Sequence, residues 1–257
     1  MGKQGAENRI QVLERTAQIL ELFTPERTSL RFSDIVAETS LNKSTVFNIV
    51  DTLRQLGLLE QDEDTRKYHL GSQFLRYGEV AKRSVEIVKI AQPFMLQLRD
   101  TVNETVQLAK LDGSSTVYLH KAESLQSVQT YSMTGAANPA YATGLGKAML
   151  AYRDEDYICT HFPDKLSQFT KNTLPDRETL KAVLTQIRQE GIAFDREEYS
   201  LGLTCIACPV FDHKGNAAFA ISVSAPSYRI SPEKERQICC QLKETANSIS
   251  RQLGYKD

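Results

Sequence analysis

The dominant spacing of apolar residues changes near Asn103, and this change limits the folds available to the chain. Before Asn103, apolar side chains recur every three or four residues, which places them on one face of successive helices. After Asn103 they alternate with polar residues, as in half-buried β-strands. A chain of 257 residues is long enough to bury two cores. The sequence therefore predicts a helical N-terminal part followed by a second domain built on a β-sheet.

The N-terminal part contains three predicted helices and a hairpin. Five apolar residues at helical spacing predict the first helix: Ile10, Leu13, Ala17, Leu20 and Phe23. Ser33 is expected to cap a short second helix, and Asn42 a third one that Gly57 ends in a left-handed conformation. Two short apolar strands around the polar turn 62–67 predict the hairpin. This order is typical of the winged helix-turn-helix, whose second motif helix lies in the major groove of DNA.

The rest of the chain predicts a helical linker and an α+β domain. Residues 72–101 have a helical pattern that is interrupted near Pro93. Beyond them, strand patterns occur at 105–111, 117–121, 128–133, 193–199, 204–211 and 217–225. Further helical patterns occur at 144–152, 177–190 and, with Ser231 as N-cap, 232–253. The predicted domains are a winged helix-turn-helix at 1–71, a helical linker at 72–102, and an antiparallel sheet flanked by helices at 103–257.

The pair of Cys205 and Cys208, in the stretch TCIACPVFDH (204–213), raises the question of metal or redox chemistry. A redox pair lies at the start of a helix and a zinc pair on a tight turn, whereas these residues have a strand pattern. Side chains in a strand alternate between its faces, so two cysteines three residues apart are expected to point in opposite directions. None of the four histidines forms a second close pair with cysteine. We therefore predict no metal site and no cofactor.

The overall charge of the chain supports neither nucleic-acid nor membrane binding by itself. The formal net charge is -1, and residues 1–84 contain twelve Lys and Arg and twelve Asp and Glu. Any DNA binding must therefore depend on local patterning. No apolar run reaches the roughly 18 residues that cross a bilayer, and no signal-peptide pattern is present, so we expect a cytoplasmic protein. Its five cysteines are expected to remain thiols there.

Four segments of the sequence together resemble the IclR family of bacterial transcriptional regulators. They are LNKSTVFNIVDTLRQLGLLEQDEDTRKYHLG (41–71), NETVQLAKLDGSSTVYLHKAES (103–124), ATGLGKAMLA (142–151) and GIAFDREEYSLGLTCIACPVFDHKGNAAFAISVSAP (191–226). The resemblance implies an N-terminal winged helix-turn-helix, a helical linker and a C-terminal GAF-like domain that binds a small effector. It also implies a homodimer or homotetramer on a double-stranded DNA operator, and no enzymatic activity.

Carried over residue by residue, the family's effector pocket falls on six residues: Gly144, Leu145, Asp195, Cys205, Ser222 and Ser224. N–H groups at a helix start attract an anion, and two serines separated by one residue in a strand share a face. These features favour a small carboxylate, with glyoxylate- and pyruvate-like acids as first candidates. Asn138 and Tyr141 depart from the family's pattern before the pocket helix, and we expect them to change the polarity or size of the pocket.

The DNA contacts are expected on the third helix and on the wing. By the same resemblance they fall on seven residues: Lys43, Ser44, Thr45, Phe47, Asn48, Arg66 and Lys67. Asn48 stands where the family commonly has an arginine or another large polar residue. We therefore expect a contact to base edges, or a shorter hydrogen bond, in place of a long-range phosphate contact at this position.

Two other functions stay open from the sequence alone. A cytosolic small-molecule enzyme could use Cys205 as its nucleophile, but it needs a histidine base, for which the chain offers His120, His161 or His213 without a matching signature. A protein-interaction module built on the winged fold would keep its function when Lys43 and Asn48 are replaced by alanine. The order of the four segments favours the regulator, with no catalytic residue.

Overall fold

The computed structural model describes residues 10–84, 86–126 and 133–256. The chain divides into two compact units, Met1–Ser84 and Val85–Asp257. This division falls inside the segment 72–102 for which the sequence predicts a helical linker. Among the described residues, no helix combines the length and the apolar character needed to cross a lipid bilayer.

The first unit is a bundle of helices with a small sheet. Its elements are α1 (Gln11–Leu20), β1 (Ser29–Leu30), α2 (Phe32–Glu38), α3 (Lys43–Gln55), β2 (Leu59–Gln61), β3 (Tyr68–Leu70) and α4 (Gln73–Ser84). The strands form an antiparallel sheet in the order β1-β3-β2, so the predicted hairpin gains a third strand. The inward face of α3 packs into the core through Val46, Ile49, Val50 and Leu53. This arrangement is the predicted winged helix-turn-helix.

Both ends of α3 follow the sequence prediction. The side-chain oxygen of Asn42 accepts a hydrogen bond from the N–H of Thr45 at 2.9 Å, which satisfies one free donor of the first turn. Gly57, just beyond the helix, has a φ of 68°, a conformation that glycine adopts without steric cost. The position of α3 is therefore fixed by local residues as well as by its buried face.

Two predictions for this unit are wrong. Ser33 does not cap α2, because the helix begins at Phe32 and its N-cap is Arg31. The N–H of Arg31 donates to the carboxylate of Asp34 at 3.0 Å. The predicted apolar stripe of α1 is buried only at its C-terminal end: Leu20 and Phe23 pack against the core, Ile10 and Leu13 are exposed, and the fully buried residue of the helix is Ile19, which lies outside the stripe. Periodicity identified the helix but not the face that the rest of the unit covers.

The second unit is an antiparallel sheet covered by helices on both faces. Its strands are β4 (Thr105–Asp112), β5 (Ser115–Ala122), β6 (Ala137–Pro139), β7 (Ala193–Arg196), β8 (Leu203–Phe211) and β9 (Ala217–Pro226), in the order β6-β5-β4-β9-β8-β7. Its helices are α5 (Glu86–Val102), α6 (Gly144–Leu150), α7 (Glu155–His161), α8 (Arg177–Glu190) and α9 (Pro232–Gln252). One apolar cluster joins α5 and α9 to the sheet, and a second joins α6, α7 and α8 to its other face. The predicted α+β class is confirmed.

Sequence patterns missed the shortest elements of the second unit. The helix α7 has one buried residue, Ile158, and β6 is three residues long, so neither shows a recognisable periodicity of apolar residues. Pro93 lies inside α5 and does not interrupt it. Ser231 caps α9 as predicted, since its hydroxyl accepts from the N–H of Lys234 at 3.3 Å. The strand predicted at 128–133 lies, apart from its last residue, outside the described residues.

The helix α6 packs closely on the sheet because small side chains lie beneath it. This part of the sheet carries four fully buried alanines: Ala109, Ala193, Ala207 and Ala220. Within α6, a Cβ at Gly146 would lie 2.1 Å from the carbonyl oxygen of Ala140 and 2.5 Å from Oγ1 of Thr116. Since real Cβ atoms do not approach other atoms so closely, position 146 requires glycine. This contact determines where α6 begins above the sheet.

Replacing Gly146 by alanine is expected to destabilise the second unit, because the added methyl group overlaps backbone atoms. We expect the free energy of unfolding to fall by about 1–3 kcal/mol or more, as measured by urea denaturation of the full-length protein. Gly78 in α4 is the control, because a Cβ there meets no atom within 4 Å. Gly78→Ala should be neutral or stabilising by about 0.5–1 kcal/mol. Equal losses for the two variants would contradict the packing argument.

Candidate functional site

A partly enclosed cavity of about 50 Å³ lies in the second unit, between the start of α6 and the sheet. All six residues expected to bind an effector line it: Gly144, Leu145, Asp195, Cys205, Ser222 and Ser224. Six further lining residues were missed by the sequence analysis: Gln107, Tyr118, Thr143, Tyr199, Ser200 and Leu203. Asn138 also lines the cavity, as expected, whereas Tyr141 faces elsewhere and donates its hydroxyl proton to the carbonyl oxygen of Ser167 at 2.7 Å.

The pairing of the strands brings the polar residues of the cavity onto one face of the sheet. Asp195 of β7 pairs with Cys205 of β8, which pairs with Ser224 of β9. Two residues earlier in β9, Ser222 pairs with Gln107 of β4. Residues paired directly across neighbouring strands point to the same side. A carboxyl, a thiol, two hydroxyls and an amide from four strands therefore meet beneath the first turn of α6.

The amide oxygen of Gln107 joins the two serines. It accepts hydrogen bonds from the hydroxyls of Ser222, at 3.2 Å, and Ser224, at 2.9 Å. The oxygen of Ser224 also lies 3.0 Å from the sulfur of Cys205. Because a hydroxyl has one proton, and that of Ser224 is used on Gln107, the thiol is the donor in this second contact. One signal in the sequence could have identified Gln107, namely an uncharged polar residue among the buried residues of β4.

Asp195 is the buried carboxyl of the cavity, with 3% of its surface exposed. Desolvation raises its pKa to about 7. The N–H of Glu198, which donates to Oδ1 of Asp195 at 2.8 Å, opposes this rise, and the carboxylate of Glu198 adds to it. The ammonium of Lys147 in α6 lowers the pKa, but it is already ion-paired with Glu198, and both partners are buried. The carboxyl of Asp195 therefore changes its protonation near neutral pH, well above the range of an ordinary aspartate.

The two cysteines of β8 lie on opposite faces of the sheet. Cys205 lines the cavity, while Cys208 packs in the apolar cluster formed with α5 and α9. Burial raises the pKa of both thiols, that of Cys208 to about 12, and for Cys205 the charge of Asp195 adds to the effect. Among the described residues, the cavity lining contains no histidine, and His120 and His161 line two other clefts.

The raised pKa of Asp195 makes the stability of the second unit depend on pH. In an unfolded chain the pKa of an aspartate is about 3.9, whereas in the folded protein that of Asp195 is about 7. The wild-type protein therefore loses stability as the pH rises through this window, by on the order of 4 kcal/mol at most. Asp195→Asn cannot ionise, so we expect it to gain stability relative to wild type from about pH 4 to about pH 7 and to keep a constant difference above that. Urea denaturation across this range measures the difference.

Asp176→Asn is a control for which the effect on stability at neutral pH is expected to have the opposite sign. The carboxylate of Asp176 caps α8, and the backbone N–H of Thr179 lowers its pKa. An aspartate with a lowered pKa stabilises the folded state above its unfolded pKa, and this stabilisation is lost as the pH falls. Asp176→Asn should therefore be less stable than wild type at neutral pH and approach it in acid. A difference for Asp195→Asn that does not change with pH would contradict the raised pKa of Asp195.

The residues expected to contact DNA lie on two elements of the first unit. On α3, the side chains of Lys43, Ser44, Phe47 and Asn48 are exposed, and that of Thr45 is half-buried. The ring of Phe47 nevertheless has a partner within the unit, because it packs edge-on against Phe32 of α2 with centroids 6.2 Å apart. The hydroxyl of Ser44 donates to the side-chain oxygen of Asn42 at 2.9 Å, so it shares the acceptor that caps the helix.

The wing presents Arg66 in an unusual backbone conformation. Its φ of 58° lies in the left-handed region, which residues other than glycine rarely adopt. The turn is closed by Asp62, whose carboxylate accepts from the N–H and the hydroxyl of Thr65, each at 2.7 Å. The N–H of Arg66 in turn donates to the carbonyl oxygen of Asp62 at 3.0 Å. Arg66 is exposed at the end of this turn, and Lys67 beside it is half-buried.

The fold and the cavity define a class of protein. A winged helix-turn-helix with an exposed second motif helix, in one chain with a domain that encloses a small polar cavity, is a DNA-binding regulator that responds to a ligand. Two family models match the chain: "IclR helix-turn-helix domain" over residues 12–63 and "Bacterial transcriptional regulator IclR C-terminal" over residues 80–251. The chain belongs to the IclR family of bacterial transcriptional regulators, and the resemblance found in the sequence is confirmed.

Individual relatives agree with this membership. The HTH-type transcriptional regulator KdgR of Escherichia coli (strain K12) is 34% identical over 240 residues, which cover 93% of this chain and 91% of KdgR. The crystal structure of the Thermotoga maritima IclR is 29% identical, with a TM-score of 0.73 over 96% of this chain and 100% of that one. An IclR homologue from Microbacterium hydrocarbonoxydans, crystallised with 4-hydroxybenzoate, is 24% identical and shares the fold, with a TM-score of 0.79 over 94% and 98% of the two chains.

Proposed function

We propose that this regulator senses a small organic acid in the cavity beneath α6 and binds its operator through α3 and the wing. The observation that carries the proposal is the convergence of Asp195, Cys205, Ser222 and Ser224 with the first turn of α6 on one small cavity. The DNA-binding residues are proposed from the resemblance together with their exposure on α3 and at the end of the wing.

A small carboxylate suits the size and the donors of this cavity. A volume of about 50 Å³ fits a molecule of few heavy atoms and is too small for a nucleotide. The first turn of a helix offers N–H groups without acceptors of their own, here at Gly144 and Leu145. The hydroxyl of Tyr118 accepts from the amide of Asn138 at 3.3 Å, which leaves its own proton for a ligand oxygen. Glyoxylate and pyruvate are the first candidates, and an oxygen of the Asp195 carboxyl can accept from the hydroxyl of a hydrated oxo acid.

On the DNA side, Lys43, Arg66 and Lys67 supply positive charge for phosphates. Ser44, Thr45, Phe47 and Asn48 lie in the first two turns of α3, and the N-terminal residues of such a helix contact base edges. Residues 1–84 carry as many acidic as basic side chains, so the affinity depends on these few cations and not on a generally basic surface.

Exposed apolar side chains support a homodimer or homotetramer. Large fractions of Ile10 (63%), Leu13 (62%), Leu75 (77%) and Val80 (64%) are exposed, the first two at the start of α1 and the others on α4. Exposed apolar groups on several turns of helix mark surfaces that another chain covers. A dimer places two copies of α3 in successive major grooves of a near-palindromic operator. Sedimentation equilibrium of the full-length protein distinguishes dimer from tetramer.

Binding of the acid is proposed to change the spacing of the two operator half-sites that the dimer prefers. A ligand shifts such an equilibrium only by the difference between its affinities for the two states. For a regulator this coupling is typically on the order of 1–3 kcal/mol, and it is reciprocal between the effector and the DNA. We place this activity in the cytoplasm, where a bacterial operator is accessible.

The enzyme alternative has no support from the geometry of the cavity. A cysteine nucleophile reacts as the thiolate, and the pKa of the Cys205 thiol is raised by burial and by the neighbouring Asp195. A histidine base, which would be needed to activate it, is absent from the described lining of the cavity. We therefore propose that Cys205 contributes to ligand binding and that no residue of this site is catalytic.

Arg66→Gly is expected to weaken operator binding without destabilising the first unit. Glycine adopts the left-handed conformation of position 66 freely, while the loss of the guanidinium removes a phosphate contact. The affinity should fall about equally for all DNA sequences, and the salt slope of binding should decrease by about 1. Fluorescence anisotropy with DNA from upstream of the protein's own gene, at several salt concentrations, measures both quantities.

Arg54→Ala is the matched control for this measurement. Arg54 lies on α3 in an ion pair with Asp51, at 3.0 Å, and it is not among the proposed contacts. We expect this variant to keep the wild-type salt slope. An unchanged slope for Arg66→Gly would remove Arg66 from the interface, and a lack of salt-dependent specific binding by the wild type would contradict the proposed interface as a whole.

Cys205→Ser distinguishes a sensor from an enzyme. A sensor should keep its operator affinity and show a weakened or altered response to glyoxylate or pyruvate, whereas an enzyme should lose turnover of its substrate. The response is measured as the change in operator affinity on adding each acid. Cys208→Ala serves as the control, because Cys208 lies on the other face of β8 and should leave the response intact. Loss of response in both variants would show that the effect is not local to the cavity.

A further inference from the structure

The described lining of the cavity offers no positively charged side chain with which an acid could pair. In the described part of the chain, none of the residues that line it is lysine, arginine or histidine, and its one carboxyl is that of Asp195. The nearest ammonium, that of Lys147, is 1% exposed and donates to both carboxylate oxygens of Glu198. A carboxylate bound in this cavity would therefore lie beside the carboxyl of Asp195, with no unpaired cation in the described lining.

The titratable and charged groups that face Asp195 come from β5, β8, α6 and the loop after β7. Cys205 of β8 and Tyr118 of β5 both have a pKa raised by burial, so they stay protonated at neutral pH. Lys147 of α6 and Glu198, in the loop after β7, neutralise each other as an ion pair. The hydroxyl of Tyr199, from the same loop, also lines the cavity. The charge of the site near neutral pH is thus decided by the protonation of Asp195 alone.

Two ionised carboxylates in one buried site repel each other strongly, and such a pair binds a shared proton instead. The oxygen Oδ1 of Asp195 is occupied, since it accepts from the N–H of Glu198 at 2.8 Å. The backbone N–H of Tyr199 also donates to this carboxylate. We place the shared proton between the carboxyl of Asp195 and an oxygen of the ligand. Such a hydrogen bond between a carboxylic acid and a carboxylate is short and charge-assisted.

We infer that the cavity takes up its acid together with one proton from solvent, that Asp195 holds this proton, and that the site consequently selects monocarboxylates over dicarboxylates. The inference rests on the proposed function and assigns Asp195 the role of a neutral donor to the effector. A monocarboxylate adds one negative charge, which protonated Asp195 can accommodate through a hydrogen bond. A dicarboxylate of the same size adds a second charge that no unpaired cation in the described lining neutralises.

The expected pH dependence follows from this proton. Below the free-state pKa of Asp195, about 7, the carboxyl is already protonated and the affinity for an acid should be constant. Above that value a proton must be taken up on binding, so the dissociation constant should rise by up to about tenfold per pH unit. Proton uptake from buffer should approach one per site there.

Isothermal titration calorimetry of the full-length protein with pyruvate, glyoxylate and oxalate tests the inference. Pyruvate and oxalate have the same number of heavy atoms but differ by one charge. Between about pH 6 and about pH 8.5 we expect the dissociation constant of the monocarboxylates to rise at least about tenfold, and oxalate to bind much more weakly throughout. Repeating the titrations in buffers with different ionisation enthalpies counts the protons taken up, without any variant.

Two variants complete the experiment. Asp195→Asn keeps an acceptor for the N–H of Glu198 but cannot ionise, so its affinity for pyruvate should not change with pH and should exceed that of wild type in alkali. Ser222→Ala should lose affinity equally at all pH values. Binding by the wild type that does not depend on pH, or a slope that persists in Asp195→Asn, overturns proton uptake and leaves the proposed function intact. A complete lack of binding of all three acids to every variant contradicts the proposed function itself.

Discussion

The close approach of α6 to the sheet is the contact on which the second unit depends. Gly146 brings the helix backbone against Ala140 and Thr116, and alanines on the sheet leave room for it. Where these small residues give way to Asp195, Ser222 and their neighbours, the space beneath the helix is no longer filled by methyl groups. The same packing that holds the unit together therefore leaves a cavity at the first turn of the helix.

The alternation of side chains between the two faces of a strand predicted much of this site. It separated Cys205 from Cys208 and put Ser222 and Ser224 on one face, and both placements are found in the structure. It could not supply Gln107 or Tyr118, because which strands are neighbours depends on the order β5-β4-β9-β8, which no local pattern encodes. The raised pKa of Asp195 likewise follows from burial by distant parts of the chain. The six effector residues themselves came from the family resemblance.

In the first unit, local chemistry predicted the ends of α3 but not the orientation of α1. Asn42 and Gly57 act through their own backbone neighbours, so the sequence suffices to identify them. The unit covers α1 around Ile19 and at the C-terminal end of the predicted stripe, Leu20 and Phe23, and it leaves the start of the stripe exposed. Periodicity cannot distinguish a face that packs within one chain from a face left for another. Leu13 is an example, because its spacing predicts burial and the structure leaves it exposed.

The shared acceptor on Gln107 affects how a ligand can enter. Both serine hydroxyls donate their protons to one amide oxygen, so a ligand oxygen would compete with Gln107 for them. If the ligand is a carboxylate, as proposed, it has to draw these protons away, and each new hydrogen bond replaces an existing one. Exchanges of this kind yield little net free energy, on the order of 1 kcal/mol per bond. With a low affinity and fast dissociation, the occupied fraction of such a protein follows the metabolite concentration as it rises and falls. With a high affinity and slow dissociation, the protein would stay occupied after the concentration falls.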